Sequence, residues 1–249
     1  MSNAFFIREG NRYVPTGLGP SFWDPARQSG AQICGLAAQL LGAIPVPVPM
    51  QPVRLTLDIY GAVPMAPLTA RTRMLREGKR IQLVELELDA EGRTWVRATL
   101  LRVRMEGDEA QLEPLTHPFP EEAKGVRRVL AESIRIAGSE TEPGPGAVWM
   151  RVITPMIADE PINSLACVAA AADWGTTVSP PALLEHWTYA SLDLSIHLSR
   201  MPRSDWMVLE GGSQVAGNGT GIVTLRMGDE VGMFGTAHQS VFLNQRAMS

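Results

Sequence analysis

The chain has 249 residues, 45% of them hydrophobic, and carries 26 acidic against 22 basic residues for a net charge of -4. That is enough apolar sequence for one large or two small cores, and with no long run of Lys or Arg nucleic acid is not an expected partner. No apolar run reaches about 18 residues, so no membrane span is expected. The opening MSNAFFIREG lacks the basic-then-apolar order of a secretory signal, and two cysteines make no disulfide framework. A cytoplasmic setting is the expectation.

In chain order, residues 5–15 alternate loosely and predict a short hairpin. Gly30 to Leu41 predicts a helix, with Ile33, Leu36, Ala37, Leu40 and Leu41 at helical spacing and Gly42 and Pro45 to stop it. Four strand-like segments follow, Pro52–Gly61, Leu68–Glu77, Ile81–Leu88 and Thr94–Met105, separated by turn sequences such as Glu77-Gly78-Lys79 and Asp89-Ala90-Glu91-Gly92. Residues 106–146 change character: acidic and proline-rich pieces surround a short basic segment at Val126–Ile136, which predicts a linker. The order then begins again, with a strand at Val148–Thr154, a short apolar helix at Asn163–Ala172 and a meander from His186. The domain reading is a first half at 1–105, the linker at 106–146, and a second half at 147–249.

The halves can be compared by offset. Cys34 and Cys167 each lie four residues after a helix start, 133 residues apart, while LTLDIYGAVP and DLSIHLSRMP end on Pro64 and Pro202, an offset of 138. A near-constant offset with a short insertion is what a duplicated unit leaves behind. Two such halves have a physical reason to stay joined, since one sheet curled round one helix leaves an open edge and an uncovered face.

The stretch Leu183–Arg200, LLEHWTYASLDLSIHLSR, predicts a long strand rich in β-branched and aromatic residues. Asp193 stands in its middle among apolar neighbours, where a carboxylate is costly to bury unless something hydrogen-bonds or uses it. The alternative is a strand residue facing solvent.

A helix wrapped by a long antiparallel meander, occurring twice, resembles the double hotdog fold, an α+β architecture of two hotdog repeats forming one continuous antiparallel sheet round two central helices. The phrases YASLDLSIHLSRMPRSDWMVLE and GMFGTAHQSVFLNQR resemble the second half of the acyl-CoA thioesterase II (TesB-like) family, and PVRLTLDIYG, LREGKR and GRTWVRATLLRV resemble its first half more loosely. The resemblance implies a hydrolase that splits acyl-CoA thioesters into free acid and CoA with a water held by Asp, Gln and a hydroxyl residue. On this chain the Asp falls on Asp193 and the Gln on Gln239. The hydroxyl position falls on Ser213 or on Gln214, the second of which would put an amide there. It also implies an oxyanion site at the first helix's N-terminus, at Ser29, Gly30 and Ala31. No cofactor is expected, CoA entering as part of the substrate, and a homo-oligomer, such as a dimer of double-hotdog chains, is the expected assembly.

These residue types suit the chemistry. Asp193 could take a proton from water, with burial raising its pKa, and Gln239 offers donors and an acceptor in one group. Unpaired N–H groups at a helix start favour a developing negative charge, and Gly30 permits close approach, though it also reads as a helix-packing glycine. Under the 138 offset Asp193 corresponds to Leu55 and Gln239 to Leu101, so one active site per chain is expected. Asp58, the acid of the matching first-half strand, reads as structural. No GxSxG elbow is present, and GNGTG at Gly217–Gly221 lacks the Lys and the helix of a phosphate loop. No His/Cys cluster has zinc spacing. His197 lies about 13 Å along the strand from Asp193, so the two make no dyad. Arg71, Arg73, Arg76, Lys79 and Arg80 read either as a solvated patch or as a contact for CoA phosphates. The competing function is a non-catalytic acyl-CoA or acyl-carrier binding protein with a degenerate double-hotdog site. The apolar acyl tunnel expected between the halves, near Ala37, Ala38, Leu41 and Ala169–Ala172, would favour short-to-medium chains, with Trp174 and Met156 closing its far end.

Overall fold

A computed structural model describes residues 3–107 and 111–246. Its strands are β1 Phe6–Glu9, β2 Arg12–Pro15, β3 Met50–Ile59, β4 Leu68–Glu77, β5 Ile81–Ala90, β6 Arg93–Arg104, β7 Val126–Arg127, β8 Ala131–Ala137, β9 Gly146–Val152, β10 Trp187–Ser191, β11 Asp193–Leu198, β12 Met207–Val215, β13 Thr220–Asp229 and β14 Gly232–Gln245. The helices are α1 Gly30–Gly42, α2 Ser164–Ala172 and the single turn α3 Gly175–Val178. All the named strands lie in one sheet of order β1-β2-β4-β5-β6-β3-β11-β14-β13-β12-β9-β8-β7, with β10 also paired to β14. Each pairing between these strands is antiparallel. This is the two-repeat architecture expected from the sequence.

The halves join where β3 meets β11, from Asp58 opposite Asp193 to Arg54 opposite His197. Inside the curl lie the helices. Ile33, Leu36 and Leu41 of α1 are essentially inaccessible, each stabilising the fold by about 1.5–3 kcal/mol through burial. The helices touch through small residues: a Cβ on Gly35 would lie 2.5 Å from Met156 Sδ and 3.3 Å from the Ala170 methyl. Ala169 to Ala172 and Met156 are fully buried in the same core. Small side chains here bring backbones together; they do not leave a tunnel, and the acyl channel expected between the halves is filled at this point.

Three sequence expectations need adjusting. Residues 106–146 are more than a connector: they supply β7 and β8, and β8 pairs with β9 from Ala131 opposite Val152 to Ala137 opposite Ala147. Leu115 and Phe119 of that span cover Trp149, Val208 and Trp206 on the outer face of the second half. Residues 108–110 of the expected linker lie outside the described residues. The long strand at Leu183–Arg200 is broken at Leu192, between β10 and β11. There the Leu192 N–H donates to Ser240 O, while the Ser240 N–H is taken by the Asp193 carboxylate, a side chain standing in for a ladder partner. Finally, the strand offset of 138 fails on parity. β3 buries odd-numbered Leu55 and Leu57, and β11 buries even-numbered Leu194, Ile196 and Leu198. Side chains alternate faces with period two, so an even offset equates inward residues with outward ones.

Candidate active site

The two central helices run antiparallel, so the start of α1 meets the end of α2. Gly30 opens α1 and Asp173 ends α2, and a Cβ on Gly30 would lie 2.6 Å from Asp173 Oδ2. A side chain there would have to push that carboxylate aside. Ser29 holds the N-cap position in an extended conformation with no side-chain cap bond. The first-turn N–H groups at Gly30 and Ala31 therefore keep their pull on a negative charge.

Asp173 is enclosed by protein on most sides, and burial pushes its pKa up from 3.8 to about 7 against the lowering effect of hydrogen bonds to Ser191 and Gln239. Gln239 is brought to it from the inner face of β14, itself 1% exposed. Its Nε2 donates to Ser191 Oγ at 3.0 Å, to Asp173 Oδ1 at 3.2 Å and to the Asp173 carbonyl at 3.4 Å. Its Oε1 is buried with no partner among the described residues, over Gly175, where a Cβ would stand 2.1 Å away. Gly30, Asp173 and Ser191 keep partial solvent access, so the cluster opens to the surface.

Of the residues singled out in the sequence, Gln239, Gly30 and Ala31 come together here. Asp193 does not join them. The break at Leu192 turns it to the outer face, opposite Asp58, where it accepts the Ser240 N–H. Ser213 donates to Pro180 O at 3.0 Å and accepts from Ser179 Oγ at 3.3 Å, while Gln214 is exposed. The hydroxyl beside Gln239 is instead that of Ser191. Asp173, Ser191 and Gly175 were missed by sequence reasoning. Asp173 did carry a signal: it is the acid that ends an unbroken run of alanines, ahead of Trp174 and Gly175.

Cys34 sits one helical turn after Gly30, and burial, with the charge of Asp173 added, pushes its thiol well above the ordinary range, so it is not a nucleophile. His197 and His238 point away from the cluster on the exposed face. Among the described residues no three His, Cys, Asp or Glu are placed to hold a metal ion. In the first-half basic patch, Arg71 pairs with Glu87 and Asp89, and Arg73 with Glu85. An open cleft of about 490 Å³ lined by Arg12, Arg71, Asp89 and Arg93 lies there, and none of the cluster round Asp173 lines it.

A family model for the acyl-CoA thioesterase C-terminal domain matches residues 102–243, more than half of the chain, and one for the N-terminal domain matches residues 19–103. The chain belongs to the acyl-CoA thioesterase family. It is thus a thioesterase with acyl-CoA as the substrate class its family implies, and the non-catalytic reading is set aside. Among solved structures, the thioesterase is similar to an acyl-CoA thioesterase II, TesB2, from Mycobacterium marinum, with 16% identity over 98% of this chain and 95% of that one at a TM-score of 0.71. It is also similar to the tesB protein of Mycobacterium avium subspecies paratuberculosis, with 16% identity, 96% of both chains and a TM-score of 0.68. A conserved hotdog-fold protein of unknown function from Alicyclobacillus acidocaldarius shares 15% identity over 100% of this chain and 97% of that one, at a TM-score of 0.75. At these identities the structures speak for the fold, the double hotdog. No curated protein matches the chain. Among the described residues no helix is long and apolar enough to cross a membrane.

Proposed function

We propose that the thioesterase hydrolyses acyl-CoA with Asp173 as general base, the thioester carbonyl lying at the start of α1. The observation that carries this is the placing of a raised-pKa carboxylate against an uncapped helix N-terminus, with Gln239 donating to its other oxygen and to Ser191, whose hydroxyl is also hydrogen-bonded to the carboxylate. A carboxyl with a pKa near 7 has a substantial ionised fraction at neutral pH, and in that form is more basic than an exposed carboxylate. It takes a proton from water as the water oxygen attacks the thioester carbon. The carbonyl oxygen becomes negative, and the N–H groups at Gly30 and Ala31 stabilise it. Collapse breaks the carbon–sulfur bond, and the departing CoA thiolate receives the proton from Asp173, leaving the free acid.

Gln239 positions the carboxylate, and its unpartnered Oε1 is an acceptor suited to orienting water. Asp193 has a structural part in this scheme, holding the strand break. The test is a pair of variants assayed by thiol release. Asp173→Asn should lower turnover by about two orders of magnitude or more, the scale of a lost general base, and Asp193→Asn far less. The reverse order would assign the base to Asp193 and sink this reading.

A further inference from the structure

The turn α3 follows Asp173 and Trp174 directly, and its first residue is pressed against the cluster. A Cβ on Gly175 would stand 2.1 Å from Gln239 Oε1 and 3.0 Å from Val223 Cγ1. The last carbonyls of a helical turn have no partner within the turn. Here one side chain takes two of them: Arg135 of β8 donates from Nη2 to Thr177 O at 2.7 Å and from Nη1 to Val178 O at 3.2 Å. It reaches them because Ala131, Ser133 and Arg135 alternate on the inner face of β8, the first two being buried. The register then shifts between Arg135 and Ala137, a bulge of the kind that re-aims a side chain, and Ala137 O accepts from Nη1 at 3.3 Å. Gly146, at the start of β9, lets the two backbones meet: a Cβ there would lie 1.9 Å from Val178 O and 3.3 Å from Arg135 Nη1.

We propose that Arg135, from the span that joins the two repeats, is a positioning residue for thioester hydrolysis: it grips the end of α3 and so holds Gly175 under Gln239 and water away from Asp173. The inference rests on Asp173 being the base. Three observations carry it. Grip and contact lie on the same four-residue turn, so slack at Val178 is slack at Gly175. The Gln239 amide is tied by hydrogen bonds only through Nε2, while its Oε1 has no partner and is located by packing on Gly175. The grip also acts through geometry rather than charge. Burial, Ser191 and Gln239 set the Asp173 pKa, none of them a charged group, and the titratable neighbour is the Cys34 thiol. The guanidinium's own charge is spent elsewhere: burial lowers its pKa, and Glu140, 3.7 Å away, acts against that.

The experiment has two arms on the intact protein, each run well below the unfolding temperature. Hydrolysis of hexanoyl-CoA is followed against pH by thiol release in wild type, Arg135→Met and Arg135→Lys. Arg151→Met is the control on the same strand pair, since Arg151 bonds to Glu132 of β8. The second arm reads the Asp173 pKa without activity, from urea unfolding against pH of each protein beside its Asp173→Asn counterpart. Arg135→Met should lower kcat about tenfold with little change in KM. Letting water reach Asp173 should also move the acid limb of kcat/KM and the stability window about one pH unit lower. Arg135→Lys, with a point donor in place of the fork, should fall between, and Arg151→Met should match wild type in both arms. The proposal is overturned if Arg135→Met keeps the wild-type kcat and Asp173 pKa; should that variant not fold, the same result from Arg135→Lys overturns it. It is equally overturned if Arg151→Met reproduces the loss, which would then be a general slackening of β8 and β9. If Asp173→Asn still turns over while the Asp173 pKa follows Arg135, the base assignment falls and the positioning role stands.

Discussion

Replacing Asp173 by Asn should inactivate the thioesterase and stabilise it at once, to a degree that depends on pH. Burial lifts the Asp173 pKa from 3.8 to about 7 in the folded chain, roughly three units, or a ceiling of about 4 kcal/mol at about 1.36 kcal/mol per unit. Between those two values the folded state keeps a proton that the unfolded state has lost. Stability from this group is therefore fully present below about pH 4 and falls as pH rises towards 7. Between pH 5 and pH 8 the wild type should lose about 2.7 kcal/mol that the Asn variant does not. For a chain of this size that is about 5–11 °C in Tm. Urea or thermal unfolding of both proteins across this range measures the difference directly. In parallel, wild-type kcat/KM should rise with pH and level off above about 7, as the base loses its proton. A stability difference that stays flat from pH 5 to pH 8 would mean that Asp173 does not titrate as a buried group, and the catalytic assignment would lose its physical basis.

Gly175→Ala places a methyl 2.1 Å from Gln239 Oε1; the amide must swing away, and hydrolysis should fall about tenfold or more while circular dichroism stays unchanged. Arg200→Met strands the fully buried Asp229, which Arg200 holds through two bonds of 2.6 Å, and should cost about 3–5 kcal/mol at neutral pH by urea titration. Burial alone would raise the Asp229 pKa, but Arg200 and the Arg203 and Val231 N–H groups hold it below the usual value, so the wild type's advantage should shrink as pH falls through that lowered pKa. Asn163→Ala removes a side-chain cap on Ala166 N and a bond to Gln39 O. It should cost about 1–2 kcal/mol in thermal unfolding and leave turnover as it was.

The fold was legible because it rests on composition-level signals. Two apolar helix patterns, each followed by long alternating strands, leave few ways to cover every hydrophobic face. Gln239 was singled out through the family resemblance alone, and the structure places it beside Asp173 on the inner face of β14. What escaped was anything decided by a single-residue shift. Asp193 and Ser191 are two apart in one strand-like phrase, so an unbroken strand would put both on the same face. The bulge at Leu192 separates them, sending Ser191 inward and Asp193 outward, and no periodicity in YASLDLSIHL marks where a side chain will replace a ladder bond. Asp173, despite its place at the end of the alanine run, was passed over for another reason. Its carboxylate matters through α1, more than 130 residues earlier in the chain, and only the antiparallel crossing of the helices brings Gly30 to it.

The same crossing explains why a duplicated chain carries its cluster once. Two antiparallel helices make two junctions, and the second lies where the end of α1 meets the start of α2. There Gly42 abuts Asn163, whose side chain caps α2 and donates to Gln39 O, while the Asn163 N–H returns a bond to Gln39 Oε1. From β6, Arg102 donates to Leu41 O and Gly42 O at the end of α1, the place that Gln239 takes from β14 at the end of α2. The odd spacing between Arg102 and Gln239 is the one that alternation of faces requires; Leu101, which the even offset had matched, faces the other way. A buried guanidinium at a helix C-terminus neutralises the carbonyls' partial charge, and the residue that ends α1 is Ala43, with no carboxylate to work as a base. One junction has thus become a fully bonded clasp. The other, at Asp173, keeps an uncapped helix end, an unpartnered amide oxygen and a carboxylate of raised pKa, and the stability it forgoes is what the proposed reaction would draw on.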